Sequence, residues 1–509
     1  MTQTDDAVHT PVRYADLILA ALDRRPDRAA FHWRGDSDPA VWSYADVASH
    51  IRRLSTALSN LRLARSDGIA LLAGPRPEAF MVMAAACHAG IRYTALHPMA
   101  THVDDAFVLR DSGSAVLVVD DSRFDERTNA ARDAVRVVPL RRLNDLARDS
   151  APSANISADA TYLFYTGGTT GEPKGVILRD RSLTANAWAS STWDWQHDTR
   201  FLITTPMSHA AGLLVAPGLL HGADFHIHDR FDPARVLHAI EHDGVNTTFL
   251  VPTMLYSLLD HPEIATADLS GLRWILYGAA PTAPSRIIEA RERFGAVLTQ
   301  HYGQAEAPNA LTTLDKYAHC TDDHSVLSSC GRVMPGVTLT ILDHDGNAVP
   351  PGMPGELCVR GPLVMDGYWN KPDETAAALA GGWLHTGDVA TCDENGLISI
   401  VDRSKDMVIT GGFNVYPREV ETVLSAHPSV EQCAVYGEPD ERWGEAVIAA
   451  VVTRAGREAD ADLLISHVRT AKGGVCTPKR IDFYERLPST PLGKIDKKAL
   501  RRRARSDAI

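Results

Sequence analysis

The sequence predicts an α/β protein: a large N-terminal domain of βαβ-type sheets with a small antiparallel β subdomain, then a small α+β C-terminal domain. Three observations carry this reading. As far as Tyr277, short apolar runs alternate with helical segments, the rhythm of a largely parallel sheet covered by helices. From Val337 the texture changes to short strands separated by turn residues, which is the pattern of antiparallel pairing. From Pro417 onward, helical and strand-like segments mix in one compact unit.

The elements follow in order. Tyr14, Leu17, Ile18, Ala21 and Leu22 fall on one helical face. A second helix starts at Ser43, with Asp46 three residues on as its capping-box partner and an apolar stripe of Val47, Ile51, Leu54, Leu58 and Leu61. Strands at 69–72 and 115–119 flank the alanine-rich helical segment 79–89. His88, His97 and His102 in this region lack metal-site spacing and read as structural or surface residues. Residues 161–165 alternate and are rich in β-formers. Buried-strand candidates at 246–251 and 273–277 are separated by a helix beginning at Pro252, since proline is favoured at a helix start. Strands at 337–343, 355–361 and 397–403 are joined through turns at Asp345-Gly346-Asn347 and 393–396. The remainder predicts a helix at 417–424, strands around Ala434 and Ala449 and a helix at 461–468. A boundary near 402–405 divides the chain into domains 1–402 and 403–509.

With 509 residues the chain can bury large cores. A net charge of -13 argues against a nucleic-acid partner, because backbone binding needs clustered Lys and Arg. The basic cluster Lys497, Lys498, Arg501, Arg502, Arg503 and Arg505 reads as a solvated helix end. No integral membrane segment is expected, since no apolar run approaches the roughly 18 residues a span needs. The N-terminal stretch lacks the basic-then-apolar order of a signal peptide. Seven cysteines are scattered without a CxxC pair, which predicts reduced thiols and a cytoplasmic location.

The stretch from Tyr165 to Gly175 reads YTGGTTGEPKG. Glycines let backbone N–H groups turn toward an anion, while threonine hydroxyls and one ammonium add donors, so the loop is suited to cradle phosphate. It is no Walker loop, because it lacks the Gly-Lys-[Ser/Thr] ending. Five further motifs follow: Tyr302-Gly303-Gln304-Ala305-Glu306, His385-Thr386-Gly387-Asp388, Asp402-Arg403-Ser404-Lys405-Asp406, Gly411-Gly412-Phe413-Asn414 and Pro491-Leu492-Gly493-Lys494. Their order resembles that of the adenylate-forming superfamily, which contains acyl-CoA synthetases, peptide-synthetase adenylation domains and luciferases. The likeness spans essentially the whole chain and is greatest to acyl-CoA synthetases.

The resemblance implies ATP-dependent activation of a carboxylic acid to an acyl-adenylate with loss of pyrophosphate, then transfer to the thiol of CoA. Thr166, Gly167, Gly168, Thr169, Thr170, Gly171 and Lys174 would hold the β- and γ-phosphates, and Glu306 would hold Mg²⁺. Asp388 would accept hydrogen bonds from the ribose hydroxyls, with Arg403 nearby. Tyr302 would stack on adenine, Gly303 would belong to the nucleotide site, and Gly278, Ala279 and Ala280 would approach the base's other face. Lys494 would bridge carboxylate and α-phosphate. Lys405 would be the hinge of a mobile C-terminal domain that brings Gly411 and Gly412 to the adenylate for thiol transfer. His209 would stand between acyl pocket and thiol tunnel. Leu213, Thr253, Met254, Gly278, Gly303, Gln304, Ala307 and Pro308 would line the acyl pocket, which suits an uncharged carbon skeleton. Lys497 and Lys498 read as merely solvated.

Two departures stand out. Ala305 replaces the usual hydroxyl residue of the tyrosine motif, and the usual aromatic-lysine-x-proline run of the C-terminal domain becomes the glycine-bearing stretch 472–479. The acceptor therefore stays open between CoA, an amine, as in stand-alone amide synthetases, and a separate carrier protein. A luciferase-type oxygenation and a silent nucleotide-binding protein are further alternatives.

Overall fold

The computed structural model describes residues 12–506 except 34–39, 65, 121–122, 133, 153–159, 167–172, 404–405, 411–412, 441–442, 455, 458 and 490–494. Four sheets are present among these residues. The largest has nine strands and runs parallel through its centre, from Ala29–Trp33 to Leu298–Gln304, with antiparallel strands at both edges. A second, seven-stranded sheet is parallel through Thr161–Thr166 and turns antiparallel at Lys174–Arg179 and Gly367–Tyr368. Helices Tyr44–Ser59 and Pro77–His88 pack in the main core, with Phe31, Phe80, Phe201, Phe225 and Trp274 almost fully buried.

The capping box at Ser43 is formed, with the Asp46 amide donating to Ser43 Oγ. Strand Thr247–Leu250 is followed by helix Pro252–Leu259, with proline in its first turn. The small four-stranded sheet is antiparallel, and the left-handed Gly346 and Gly396 close its turns. Among the described residues the C-terminal α+β domain has a five-stranded sheet, with helices Pro417–Ser425 and Ala461–Lys472 in its core.

One expectation is corrected. Lys497 is not solvated: its ammonium pairs with Glu421 Oε1 at 2.7 Å and its side chain is only 21% exposed. The cause is the fully buried Leu500, which anchors the last helix against Ala434 and Tyr436 and draws the neighbouring lysine inward.

Candidate active site

In open parallel sheets the carboxyl ends of the strands face ligand-binding crevices. Strands Trp274–Gly278 and Leu298–Gln304 end there, and their last residues are the predicted Gly278, Tyr302, Gly303 and Gln304. Two of these glycines are required by close packing. A Cβ on Gly278 would lie 2.5 Å from the carbonyl oxygen of His301, and one on Gly303 would lie 2.6 Å from the backbone nitrogen of Asn309. Ala279 is a non-glycine residue with φ 67°, a strained backbone of the kind that clusters at functional sites, and Ala280 follows it.

The structure places the predicted carboxylates in two phenol–carboxylate pairs, one with the predicted Tyr302 and one with Tyr368. In the first, Tyr302 Oη donates to Asp388 Oδ2 at 2.5 Å, and Asp388 is only 3% exposed. Burial, then the negative charge of Asp388, holds the Tyr302 phenol well above its ordinary pKa, so it remains a donor. The turn before Asp388 is fixed by Glu356. Its Oε2 lies 2.8 Å from His385 Nδ1, its Oε1 accepts from the Gly387 amide at 3.0 Å, and Thr386 Oγ1 donates to the Leu357 carbonyl at 2.6 Å. Arg403 is the cross-strand partner of Asp388 through its backbone, while its side chain lies outside the described residues.

In the second pair, Tyr368 Oη donates to Glu306 Oε1 at 2.8 Å. Burial, then the charge of Glu306, raises the Tyr368 pKa far above its usual value. The same ring lies 4.8 Å from Lys174 Nζ, which also forms an ion pair with Glu374. Tyr368 reaches this place because Gly367–Tyr368 adds a short strand to the edge of Lys174–Arg179. Thr166 and Lys174 stand opposite one another at the ends of their paired strands. Gly167, Gly168, Thr169, Thr170 and Gly171 between them lie outside the described residues, as do Lys405, Gly411, Gly412 and Lys494.

His209 precedes the short helix Ala210–Leu213, with Nδ1 2.9 Å from Ser208 Oγ. Its ring meets Phe164 and His97 edge-on, at centroid distances of 5.1 and 4.8 Å. His97, read from sequence as structural or surface, is thus a half-buried neighbour of a predicted site residue. Burial, then the Arg127 charge, lowers its pKa to about 4. Leu213, Ala307 and Pro308 are buried, Met254 and Gln304 are half-buried, and Thr253 is exposed. Ala305 is half-buried and packs against the main core, a role that asks for no hydroxyl.

Glu356, Tyr368 and Glu374 were not singled out by sequence, and His97 was read there only as structural or surface. Only the tight motif around Tyr368 offered a signal, a Gly-Tyr-Trp followed by Asn-Lys-Pro.

A buried acidic acceptor, a second carboxylate suited to a hard cation and a lysine at the end of a strand, linked through two tyrosines near the carboxyl ends of parallel strands, are groups that a nucleotide-binding enzyme needs. The AMP-binding enzyme family matches residues 19–369 and its C-terminal domain matches 419–494, so the chain belongs to that adenylate-forming family. It is 40% identical to the medium/long-chain-fatty-acid–CoA ligase FadD8 of Mycobacterium tuberculosis (strain ATCC 25618 / H37Rv), over 98% of this chain and 91% of that one. It is 38% identical to a feruloyl-CoA synthase of Amycolatopsis sp, over 91% and 94%. Among solved structures, the amide bond synthetase McbA from Marinactinospora thermotolerans superposes with a TM-score of 0.87 at 34% identity, covering 96% of this chain and 98% of that one.

Proposed function

We propose that the protein activates a hydrophobic carboxylic acid with ATP to an acyl-adenylate, releasing pyrophosphate, and transfers the acyl group to the thiol of CoA. The observation that supports this is the linkage of Lys174 and Glu306 through Tyr368, and of Asp388 to Tyr302 on the strand that leads to Glu306. An anionic carboxylate must attack an anionic α-phosphate, and two unit charges 4 Å apart repel by about 4 kcal/mol at an effective dielectric of 20. Cationic and hydrogen-bonding groups must therefore be aimed where charge gathers.

Asp388, buried and fixed by the Glu356-held turn, accepts from the ribose hydroxyls. Lys174 neutralises the outer phosphates. Glu306 would hold Mg²⁺, since a hard oxygen donor is what this cation takes, with Tyr368 orienting the carboxylate. Bound Mg²⁺ supplies charge neutralisation on the phosphates. Lys494 bridges the acid and the α-phosphate, and the C-terminal domain 403–509 turns on 1–402 at Lys405 to bring Gly411 and Gly412 up for transfer. His209, held by Ser208 and flanked by Phe164, separates the acyl pocket from the thiol path.

Cytoplasmic residence fits the seven cysteines, which are all free. No helix among the described residues is long and apolar enough to cross a membrane. Transfer to an amine is the second reading, favoured by the close superposition on an amide bond synthetase. Incubation with ATP, Mg²⁺ and a panel of acids, then CoA or amines, tests both. Acyl-CoA with AMP supports the leading reading, and amide without thioester supports the second. Absence of any acid-dependent pyrophosphate release would refute both.

A further inference from the structure

His301 precedes Tyr302 on strand Leu298–Gln304, is 4% exposed, and takes no part in the chemistry above. Its Nδ1 lies 2.9 Å from the Asn309 carbonyl oxygen. A carbonyl only accepts, so Nδ1 carries the proton. Burial pushes the imidazole pKa down to about 4, so at neutral pH the ring is uncharged and Nε2 presents a lone pair. That atom is buried without a hydrogen-bond partner among the described residues. Leaving such an acceptor unpaired is unfavourable enough that native structures rarely do so.

The neighbours of Nε2 are defined. His301 is the register partner of Gly278, and a Cβ on Gly278 would lie 2.9 Å from Nε2. Glycine there keeps the space beside the lone pair clear of a side chain. The rings of Trp193 and Phe249 stand edge-on to the imidazole, each with its centroid 5.5 Å away. Asn309 Nδ2 donates to the Ala210 carbonyl at 3.3 Å, tying the histidine to the helix that carries Leu213. Gly278 and Leu213 are both assigned to the acyl pocket by the resemblance, so the lone pair is packed directly beside one of its expected lining positions.

The carboxylate and the acyl carbonyl of the adenylate only accept, and an alkyl chain offers nothing to an acceptor. We propose that His301 is a specificity-determining residue whose Nε2 accepts a hydrogen bond from a hydroxyl or ring N–H on the acid's carbon skeleton, selecting aryl or heteroaryl acids that carry such a donor. The inference rests on the adenylation reading and narrows it: the pocket is uncharged but not wholly apolar. The exocyclic amine of adenine is the rival donor, and the experiment separates the two.

Acid-dependent pyrophosphate release by the full chain is measured for matched acids: indole-2-carboxylate against benzofuran-2-carboxylate, and 4-hydroxycinnamate against cinnamate. The wild type should favour the donor-bearing member of at least one pair by about 10- to 100-fold in kcat/KM. His301→Leu should bring that ratio to within about twofold of one, chiefly by lowering the rate for the donor acid, with the ATP KM unchanged. His301→Gln, which retains an acceptor oxygen, should recover part of the preference. A wild-type ratio near one in every pair, or a ratio that survives in His301→Leu, would overturn the assignment. So would an ATP KM that rises equally with both acids, which would give the lone pair to adenine. If His301→Leu fails to fold because the Asn309 bond is lost, the wild-type and His301→Gln ratios decide by the same criteria. Pyrophosphate absent with every acid overturns the adenylation reading and this inference with it, whereas pyrophosphate with ratios of one overturns only the role of His301.

Discussion

Replacing Tyr368 with Phe removes one hydroxyl and keeps the ring. The lost bond is the 2.8 Å donation to Glu306 Oε1, while the ring 4.8 Å from Lys174 Nζ stays. A hydrogen bond to a charged acceptor contributes about 1.5–3 kcal/mol. Both partners are half-buried, so the lower end applies, and about 1.5 kcal/mol corresponds to roughly tenfold in an equilibrium constant. If the hydroxyl holds Glu306 in place for the cation, that factor falls on Mg²⁺ and not on the acid. Titrating Mg²⁺ at saturating ATP and following pyrophosphate release should show the half-activating concentration rising about tenfold, with the acid KM within about twofold. Tyr368→Leu also loses the cation–π contact, about 0.5–1 kcal/mol at an exposed site, and should raise the ATP KM further. An unchanged Mg²⁺ requirement in a fully active Tyr368→Phe would refute the reasoning. A uniform loss across all parameters with a lower melting temperature would refute it too, by making the residue merely structural.

Other outcomes follow from the same geometry. Glu356→Gln withdraws the charge beside His385 and weakens the grip on Gly387, so ATP should bind about tenfold more weakly by calorimetry while the acid KM stays put. Lys494→Ala should slow adenylation by about 10²–10³-fold in a pyrophosphate-exchange assay, the scale of losing one preorganised donor. Lys405→Pro should leave that exchange nearly intact and abolish thioester formation, and equal loss of both would remove the hinge. Acid should destabilise the protein through His97 and His301, whose folded pKa values are both pushed down to about 4. The unfolded chain takes up these protons near pH 6.5, so this contribution is fully present above about pH 6.5 and is lost as pH falls toward about 4. His97→Phe should flatten the fall in melting temperature over that window and leave it unchanged at pH 8.

Much of the fold was legible because local chemistry and final structure agree. Ser43 and Asp46 form the predicted cap, Pro252 opens the predicted helix, and the turns at Gly346 and Gly396 join the predicted hairpins. Motif spacing pointed to Tyr302, Glu306 and Asp388, whose side chains the fold gathers through their phenol partners. What the sequence hid depends on contacts between segments remote from one another. Tyr368 reaches Glu306 across 62 positions, and nothing local announces that a two-residue strand will dock on the edge of Lys174–Arg179. His97 and His301 carry no spacing signal, because their meaning lies in which neighbours enclose them. Lys497 was misread for the same reason: its partner Glu421 belongs to a separate helix.

Strand Ile398–Arg403 has a double allegiance. On one side it ladders with Leu384–Cys392, the strand that presents Asp388. On the other, Asp402 Oδ2 accepts from the Arg418 amide at 3.0 Å and the Ile400 carbonyl accepts from Arg418 Nη1 at 2.6 Å, latching on helix Pro417–Ser425. On the proposed turning at Lys405, this latch must open each time the C-terminal domain changes station. At about 1–1.5 kcal/mol per bond, two such bonds tilt the resting balance toward the latched arrangement by roughly 30- to 150-fold. Turnover would then be paced by a doorpost beside the nucleotide, and the rate at which it unfastens becomes a property that substitutions at Arg418 could tune without touching a reacting atom.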